Sequence, residues 1–238
     1  MVLFCLIGEL GAGKTLGLAF LAWNNWFKKG RRIFSNFALY GFPYTRVVSV
    51  PDLDHMSSGF FAADELWSWL DSWEGKSEKK RVISSILLKS RKRDITIAYT
   101  TQTMPQIIKR IRDVTDFAAY PTMGPDGTWC RMNIFRGTRL NSAMLMRPSR
   151  YFNTESVIAM YNTYEEIKPI DAEGESRECF HPIRENPAYF RYCREVLKIK
   201  KDEEIMIRAD AMEQLINPWG FTSEEQRKQA GIKEDLDV

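Results

Sequence analysis

The chain has 238 residues, 44% hydrophobic and 13% aromatic, which is enough apolar material to bury one sizeable core and too much for a disordered polymer. Its formal net charge of +3 is unevenly spread: residues 1–174 carry 23 Lys+Arg against 17 Asp+Glu, and residues 175–238 carry 11 against 14. A modestly basic front with an acidic tail permits a polyanionic partner without requiring one.

In chain order, "VLFCLI" (2–7) is a continuous apolar run of strand length, the pattern of a strand buried on both faces. Residues 14–28 read as a helix, with Leu16, Ala19, Phe20, Trp23 and Phe27 at helical spacing and "KKGRR" as the stop. Short strands are expected near 32–37, 46–50 and 59–63, and a helix over roughly 65–91. "ITIAYT" (95–100) is another buried strand, followed by a short helix opened by Pro105. Strands separated by helices imply a wound, mainly parallel sheet flanked by helices. "FAAYPTMGPDGTWCRMNIF" reads as two strands about the turn "GPDG", a hairpin at the far edge of that sheet. Residues 154–167 suggest a short capped helix and its exit, and the charged stretch after 175 has helical propensity. The expected organisation is an α/β core over residues 1–174 and a small helical C-terminal region over 175–238.

Cys5, Cys130, Cys179 and Cys193 have neither metal-ligand spacing nor the pattern of a secreted disulfide framework, which points to a reducing, intracellular setting. The apolar start is broken by Glu9 and Lys14 and lacks a basic leader, so a soluble protein is expected rather than an anchored one. His55 and His181 are isolated and receive no catalytic or metal role.

Chemistry concentrates at three strand ends. Gly8, Glu9, Leu10, Gly11, Ala12, Gly13, Lys14 and Thr15 match G-x-x-x-x-G-K-[ST] in full, between a buried strand and a helix that continues with Leu16. Glycines there let successive N–H groups face a phosphate, and the helix start adds positive potential. A glycine-rich structural turn is the plainer alternative. Lys14 is placed to reach terminal phosphates and the Thr15 hydroxyl to bind magnesium. In "GFFAADELW", Asp64 ends a buried strand where a carboxylate can hold the metal, directly or through water, and Glu65 is placed to polarise an attacking water. "ITIAYTTQ" ends in Thr100, Thr101 and Gln102, neutral polar groups suited to sensing the terminal phosphate; Gln102 is the favoured sensor.

Together "GELGAGKT", "FFAADE", "LLKSRKRDITIAYTTQ" and "YNTYEE" resemble the FtsK/HerA group of P-loop ATPases, covering roughly residues 1–170. The nearer likeness is to viral genome-packaging ATPases and to the Zot-like assembly proteins of filamentous phages. That resemblance implies a RecA-like core and ATP with Mg2+, the nucleotide being held by Gly8 through Leu16. It also implies a homo-oligomeric ring, pentamer or hexamer, threading double-stranded DNA toward a viral capsid, in the host cytoplasm or on the virion. An arginine from one subunit would meet the phosphate held by its neighbour. Arg91 looks most like the family's position, with Arg93, Arg110 and Arg112 as further candidates. The alternatives are a Zot-like assembly or export factor that threads single-stranded DNA or acts at a membrane and, in another class, a P-loop nucleotide kinase. The chain has no [NT]-K-x-D guanine reader of the GTPase kind.

Expected DNA contacts are the basic runs "KSEKKR" (76–81) and "KSRKR" (89–93), either lining a channel or simply solvated. Trp129 could press on a nucleic-acid strand, although a lone aromatic near a turn more often closes a core. The stripe Leu66, Trp69, Leu70 and Trp73 is expected to pack inward or against another subunit.

Overall fold

A computed structural model of the chain describes residues 2–70, 83, 85, 87–137, 144–170 and 176–216. Among the described residues, nine strands form one sheet: β1 (Leu3–Ile7), β2 (Arg32–Ser35), β3 (Tyr44–Arg46), β4 (Gly59–Ala63), β5 (Ile95–Thr101), β6 (Phe117–Met123), β7 (Trp129–Arg136), β8 (Met144–Asn153) and β9 (Arg177–Cys179). Their spatial order is β8-β7-β6-β1-β5-β4-β2-β3-β9. The central block from β6 to β3 is wholly parallel, with β1 between β5 and β6. Antiparallel pairs close both flanks, β6–β7–β8 on one side and β9 on β3 on the other. This is the mainly parallel, helix-flanked α/β sheet that the order of apolar runs predicts.

The buried strands show why the sheet needs cover on both faces. Along β1, Leu3, Cys5 and Ile7 enter one apolar cluster with Phe61, Ile97 and Tyr99, while Leu6 enters the other with Phe60, Ala62 and Ala98. Alternation on a pleated strand sends successive side chains to opposite faces, and here both faces are dry. Helix α1 (Lys14–Lys29) covers the second face with Leu16, Leu18, Ala19 and Ala22. It ends where Gly30 turns left-handed (φ 59°): the Gly30 N–H bonds the Trp26 carbonyl and the Arg31 N–H reaches the Asn25 carbonyl, a left-handed glycine stop.

Helix α2 (Val50–His55) occupies part of the span expected as a strand over 46–50, and β3 lies earlier, at 44–46. The reason is local: the Ser49 hydroxyl accepts from Asp52 N and the Asp52 carboxylate accepts from Ser49 N, with Pro51 in the first turn. This capping box outweighs the strand propensity of "RVVSV". Of the helix expected over 65–91, the described parts are α3 (Trp67–Leu70) and helical residues 83, 85 and 87–89. The turn Met104–Gln106, with Pro105 in its first turn, leads to α4 (Lys109–Arg112). The β6–β7 hairpin forms as expected but is not the edge of the sheet, because β8 pairs outside it.

Helices α5 (Thr154–Ile158), α6 (Pro187–Glu195) and α7 (Asp202–Ile216) complete the layer over α1. Ile183, Tyr189, Cys193, Ile205, Ala209 and Ile216 belong to the same apolar cluster as α1. Asn186, fully buried, fixes the start of α6. Its side-chain oxygen accepts from Ala188 N (3.0 Å), and its amide donates to the Ala159 and Tyr161 carbonyls, each at 2.8 Å. The segment after α5 is held in turn by Glu165, which pairs with Arg46 (2.5 Å) and accepts from Ala38 N (2.6 Å). Among the described residues, no helix is long and apolar enough to cross a membrane.

Candidate functional site

Parallel register brings the C-terminal ends of β1, β4 and β5 to one edge of the sheet: Ile7 lies opposite Thr101, and Ala63 opposite Tyr99. Leu10, Gly11 and Gly13–Thr15 after β1, Asp64 and Glu65 after β4, and Thr100–Gln102 at the end of β5 line a common cleft of about 740 Å³. The far wall of that cleft is made by the hairpin turn Met123–Gly127, by Thr154, Ile158, Tyr161 and Thr163, and by Tyr192 and Val196 from the end of α6.

The glycine-rich loop is built from neighbours in sequence. Gly11 and Gly13 both have positive φ (77° and 89°), and Gly13 is the N-cap of α1 with no side chain to fill the capping role. A Cβ on Gly13 would sit 3.0 Å from Met123 Sδ and would also have to adopt left-handed backbone. The first turn of α1 contains no acidic residue of its own, so the carboxylates that face the positive end of the helix come from elsewhere in the chain. Lys14 folds back and its ammonium donates to the Glu9 carbonyl at 2.8 Å. Leu10 projects from the tip of the loop, 82% exposed, whereas Leu16 turns into the core.

Opposite it, the Asp64 side chain is buried and fully engaged. Oδ2 accepts from the Thr15 hydroxyl (3.0 Å) and Oδ1 from the Thr100 hydroxyl (2.6 Å). The Asn36 amide pairs with the main chain of the same residue, its oxygen accepting from Asp64 N (2.7 Å) and its nitrogen donating to Asp64 O (2.8 Å). Burial raises the pKa of the Asp64 carboxyl, opposed by the bonds from Thr100 and Thr15. Glu65 is half-buried and left-handed (φ 46°), and its N–H donates to Thr100 Oγ1 at 2.8 Å. Its pKa is also raised, first by burial and then by the neighbouring Asp64 charge, with Lys14 opposing. Lys14 is shifted down by burial, against the pull of both acids. One cation and two carboxylates thus share a partly desolvated cleft. The Thr15 hydroxyl and the Asp64 carboxylate together form a hard-oxygen donor pair that fits Mg2+, an ion that keeps waters and needs only one or two protein oxygens beside phosphate.

The other residues singled out in the sequence fall in different places. Gln102 follows β5 directly and lines the cleft, half-buried. Its two neighbours are engaged elsewhere: Thr100 with Asp64, and Thr101 with the Thr103 carbonyl (2.9 Å) and Gln106 Oε1 (3.0 Å). Arg91 lies in the single turn Ser90–Arg93 that precedes β5, at the opposite edge of the sheet from the cleft. Its side chain is outside the described residues. Arg93 holds the end of α2 through the Leu53 and Asp54 carbonyls and an ion pair with Asp54 (2.5 Å). Arg110 and Arg112 lie on α4. The run 76–81 lies outside the described residues, while Lys89 and Lys92 are exposed.

Trp129 lies over the turn of its own hairpin, so close to Gly124 that a Cβ there would meet the indole at 2.5 Å. Of the aromatic stripe, Leu66 and Trp69 are core residues. Trp69 packs on Phe61, and its indole N–H donates to the Lys168 carbonyl. Leu70 and Trp73 have side chains outside the described residues. His181 packs near the rings of Tyr40 and Tyr44, and His55 ends α2.

Sequence reading missed Asn36 and the far wall of Ile158, Tyr161, Thr163, Tyr192 and Val196. A polar "SN" closing a buried strand was the only local sign of Asn36. Nothing local marks Ile158, Tyr192 and Val196, which the fold brings in from α5 and the end of α6, and "YNTYEE", which holds Tyr161 and Thr163, entered only through the resemblance.

No protein-family model matches the sequence, and no curated protein matches it. Solved structures to which the chain shows similarity include the N-terminal domain of zonular occludens toxin from Neisseria meningitidis, 16% identical with a TM-score of 0.47, covering 68% of this chain and 100% of that one. The genome packaging NTPase B204 from Sulfolobus turreted icosahedral virus 2, in complex with ATP-gammaS, is 10% identical with a TM-score of 0.44 over 61% of this chain and 95% of that one. B204, the DNA-packaging ATPase from Sulfolobus turreted icosahedral virus, is 13% identical with a TM-score of 0.39 over 71% and 97% respectively.

Proposed function

We propose that this chain is a magnesium-dependent ATPase that drives double-stranded DNA into a viral capsid as a homo-oligomeric ring, working in the host cytoplasm or on the virion. The observation that carries the ATPase reading is the contact between the Thr15 hydroxyl and Asp64 at 3.0 Å, made at the start of α1 with Glu65 alongside. Loop amides from Gly8 to Leu16 and the Lys14 ammonium would hold the phosphates, Lys14 exchanging its bond to the Glu9 carbonyl for phosphate oxygen. Thr15 and Asp64 would hold Mg2+, whose charge would stabilise the electron density that collects on the transferring phosphate.

Glu65 acts as the base that takes a proton from water. Its carboxyl, raised by burial and by Asp64, is a stronger proton acceptor than a solvated glutamate. Gln102 orients that water and reads the terminal phosphate from the end of β5. Arg91 does not serve its own cleft: β5 is seven residues long, about 20 Å of extended chain, and Arg91 precedes its first residue. A neighbouring copy would have to present it, which is the arrangement a ring supplies.

DNA as the partner is supported by the sequence resemblance and by the basic run ending at Arg93, whose Lys89 and Lys92 face solvent. The test is the ATP turnover rate of the purified chain with linear duplex DNA, single-stranded DNA or candidate acceptor nucleotides. Duplex stimulation of at least several-fold is expected. Preference for single strands would replace packaging with a Zot-like export role. Stoichiometric transfer of phosphate to a small acceptor would replace both with a kinase.

A further inference from the structure

We propose that Asn36 is a positioning residue for the acidic pair, holding the Asp64–Glu65 turn in the geometry that metal-dependent turnover needs. The inference rests on the reading of the cleft as a metal-dependent nucleotide site. Asn36 is the first residue after β2, which pairs in parallel with β4 so that Ser35 lies opposite Ala62. The ladder makes one further bond, from Asn36 N to the Ala62 carbonyl (3.3 Å), and beyond it the Asn36 side chain takes the part of the backbone. Its planar amide closes a two-bond ring with the main chain of Asp64, at 2.7 and 2.8 Å.

This pairing needs a donor and an acceptor side by side at one distance from the backbone. Aspartate at this position lacks the donor and leucine lacks both groups. Asn36 is only 4% exposed, so water does not stand in easily for either bond. From the other side, Thr100 holds Asp64 Oδ1 and Glu65 N with a single hydroxyl. The two side chains grip one turn, Asn36 from β2 and Thr100 from β5, and within that grip Glu65 keeps its left-handed backbone (φ 46°), a region that glutamate seldom adopts. Released by loss of Asn36, the turn is free to relax toward ordinary backbone, carrying Glu65 away from the water it activates and Asp64 away from Thr15.

The phosphate loop does not depend on Asn36, and that separates positioning from general support of the fold. In Asn36→Leu and Asn36→Asp, nucleotide affinity measured in EDTA is expected to stay within about twofold of the unsubstituted chain. The kcat is expected to fall, and the half-saturating Mg2+ concentration to rise, each by about 10- to 100-fold, the usual penalty for losing a group that orients a metal ligand. Asn36→Asp preserves size, so it serves if Asn36→Leu does not fold. Unchanged kcat and Mg2+ response in a folded variant would overturn the inference, as would equal loss of metal-free and metal-dependent binding. If the unsubstituted chain binds no nucleotide or shows no metal-dependent turnover, the site reading itself fails, and the inference with it.

Discussion

The two walls of the cleft that face each other across Thr15 are made in opposite ways. The glycine-rich loop takes its shape from consecutive residues: two left-handed glycines, a helix start, and Lys14 bonded five residues back. The acidic wall takes its shape from afar, with Asp64 bonded to residues 49, 28 and 36 positions away. The loop is therefore a local device that offers backbone donors. The acids are a tertiary device, and their alignment is only as good as the packing of β2, β4 and β5. Binding of phosphate should follow the first, and chemistry the second.

Glu65→Gln should separate the two most sharply. It removes the proton acceptor while leaving loop and metal oxygens in place, so turnover should drop by about 10²- to 10⁴-fold with little change in nucleotide affinity, as measured by steady-state rates beside direct binding. A matched loss of affinity and rate would mean that the walls do not act independently.

Asp64→Asn should give a smaller effect, read in stability. Because burial raises the Asp64 carboxyl, the folded chain holds that proton more tightly than the unfolded chain does. The stabilisation from the protonated form is complete below the ordinary carboxylate value of about 4 and is lost as pH rises through the folded-state value. Asparagine avoids that charging and can still accept from Thr100 and donate to Thr15. Without metal at neutral pH, Asp64→Asn should melt roughly 2–4 °C above the unsubstituted chain, about what 1 kcal/mol moves a chain of this size. The gap should close toward pH 4 in thermal melts. The same variant should lose its response to Mg2+, which would mark the site as one that gives up stability for function.

The same division explains what could be read from sequence. The buried strands β1, β4 and β5 and helix α1 announce themselves through unbroken apolar runs or helical spacing, and the loop is a contiguous pattern, so all were placed correctly. "RVVSV" misled because its propensity is that of a strand, while Ser49 and Asp52 close a helix cap across it. Strand β9, three residues reading "REC", has no alternation to reveal it and exists because the edge of β3 offers partners. Strand β8 contains Pro148 and two arginines, a poor strand signature that the hairpin's open side overrides. At the site, Asp64, Glu65 and Gln102 were legible as polar residues closing buried strands. Asn36 and Tyr192 were not, since each acquires its place only when distant elements meet.

The most direct test of the central claim, that a nucleoside triphosphate with its metal occupies this cleft, is calorimetric titration of the full chain with ATP, with and without Mg2+, beside Lys14→Ala. The account expects ATP to bind, Mg2+ to tighten that binding, and Lys14→Ala to weaken it by about tenfold or more, the worth of one lost charge-assisted contact in a partly buried site. No heat of binding in the unsubstituted chain, or equal affinity in both proteins, would contradict it.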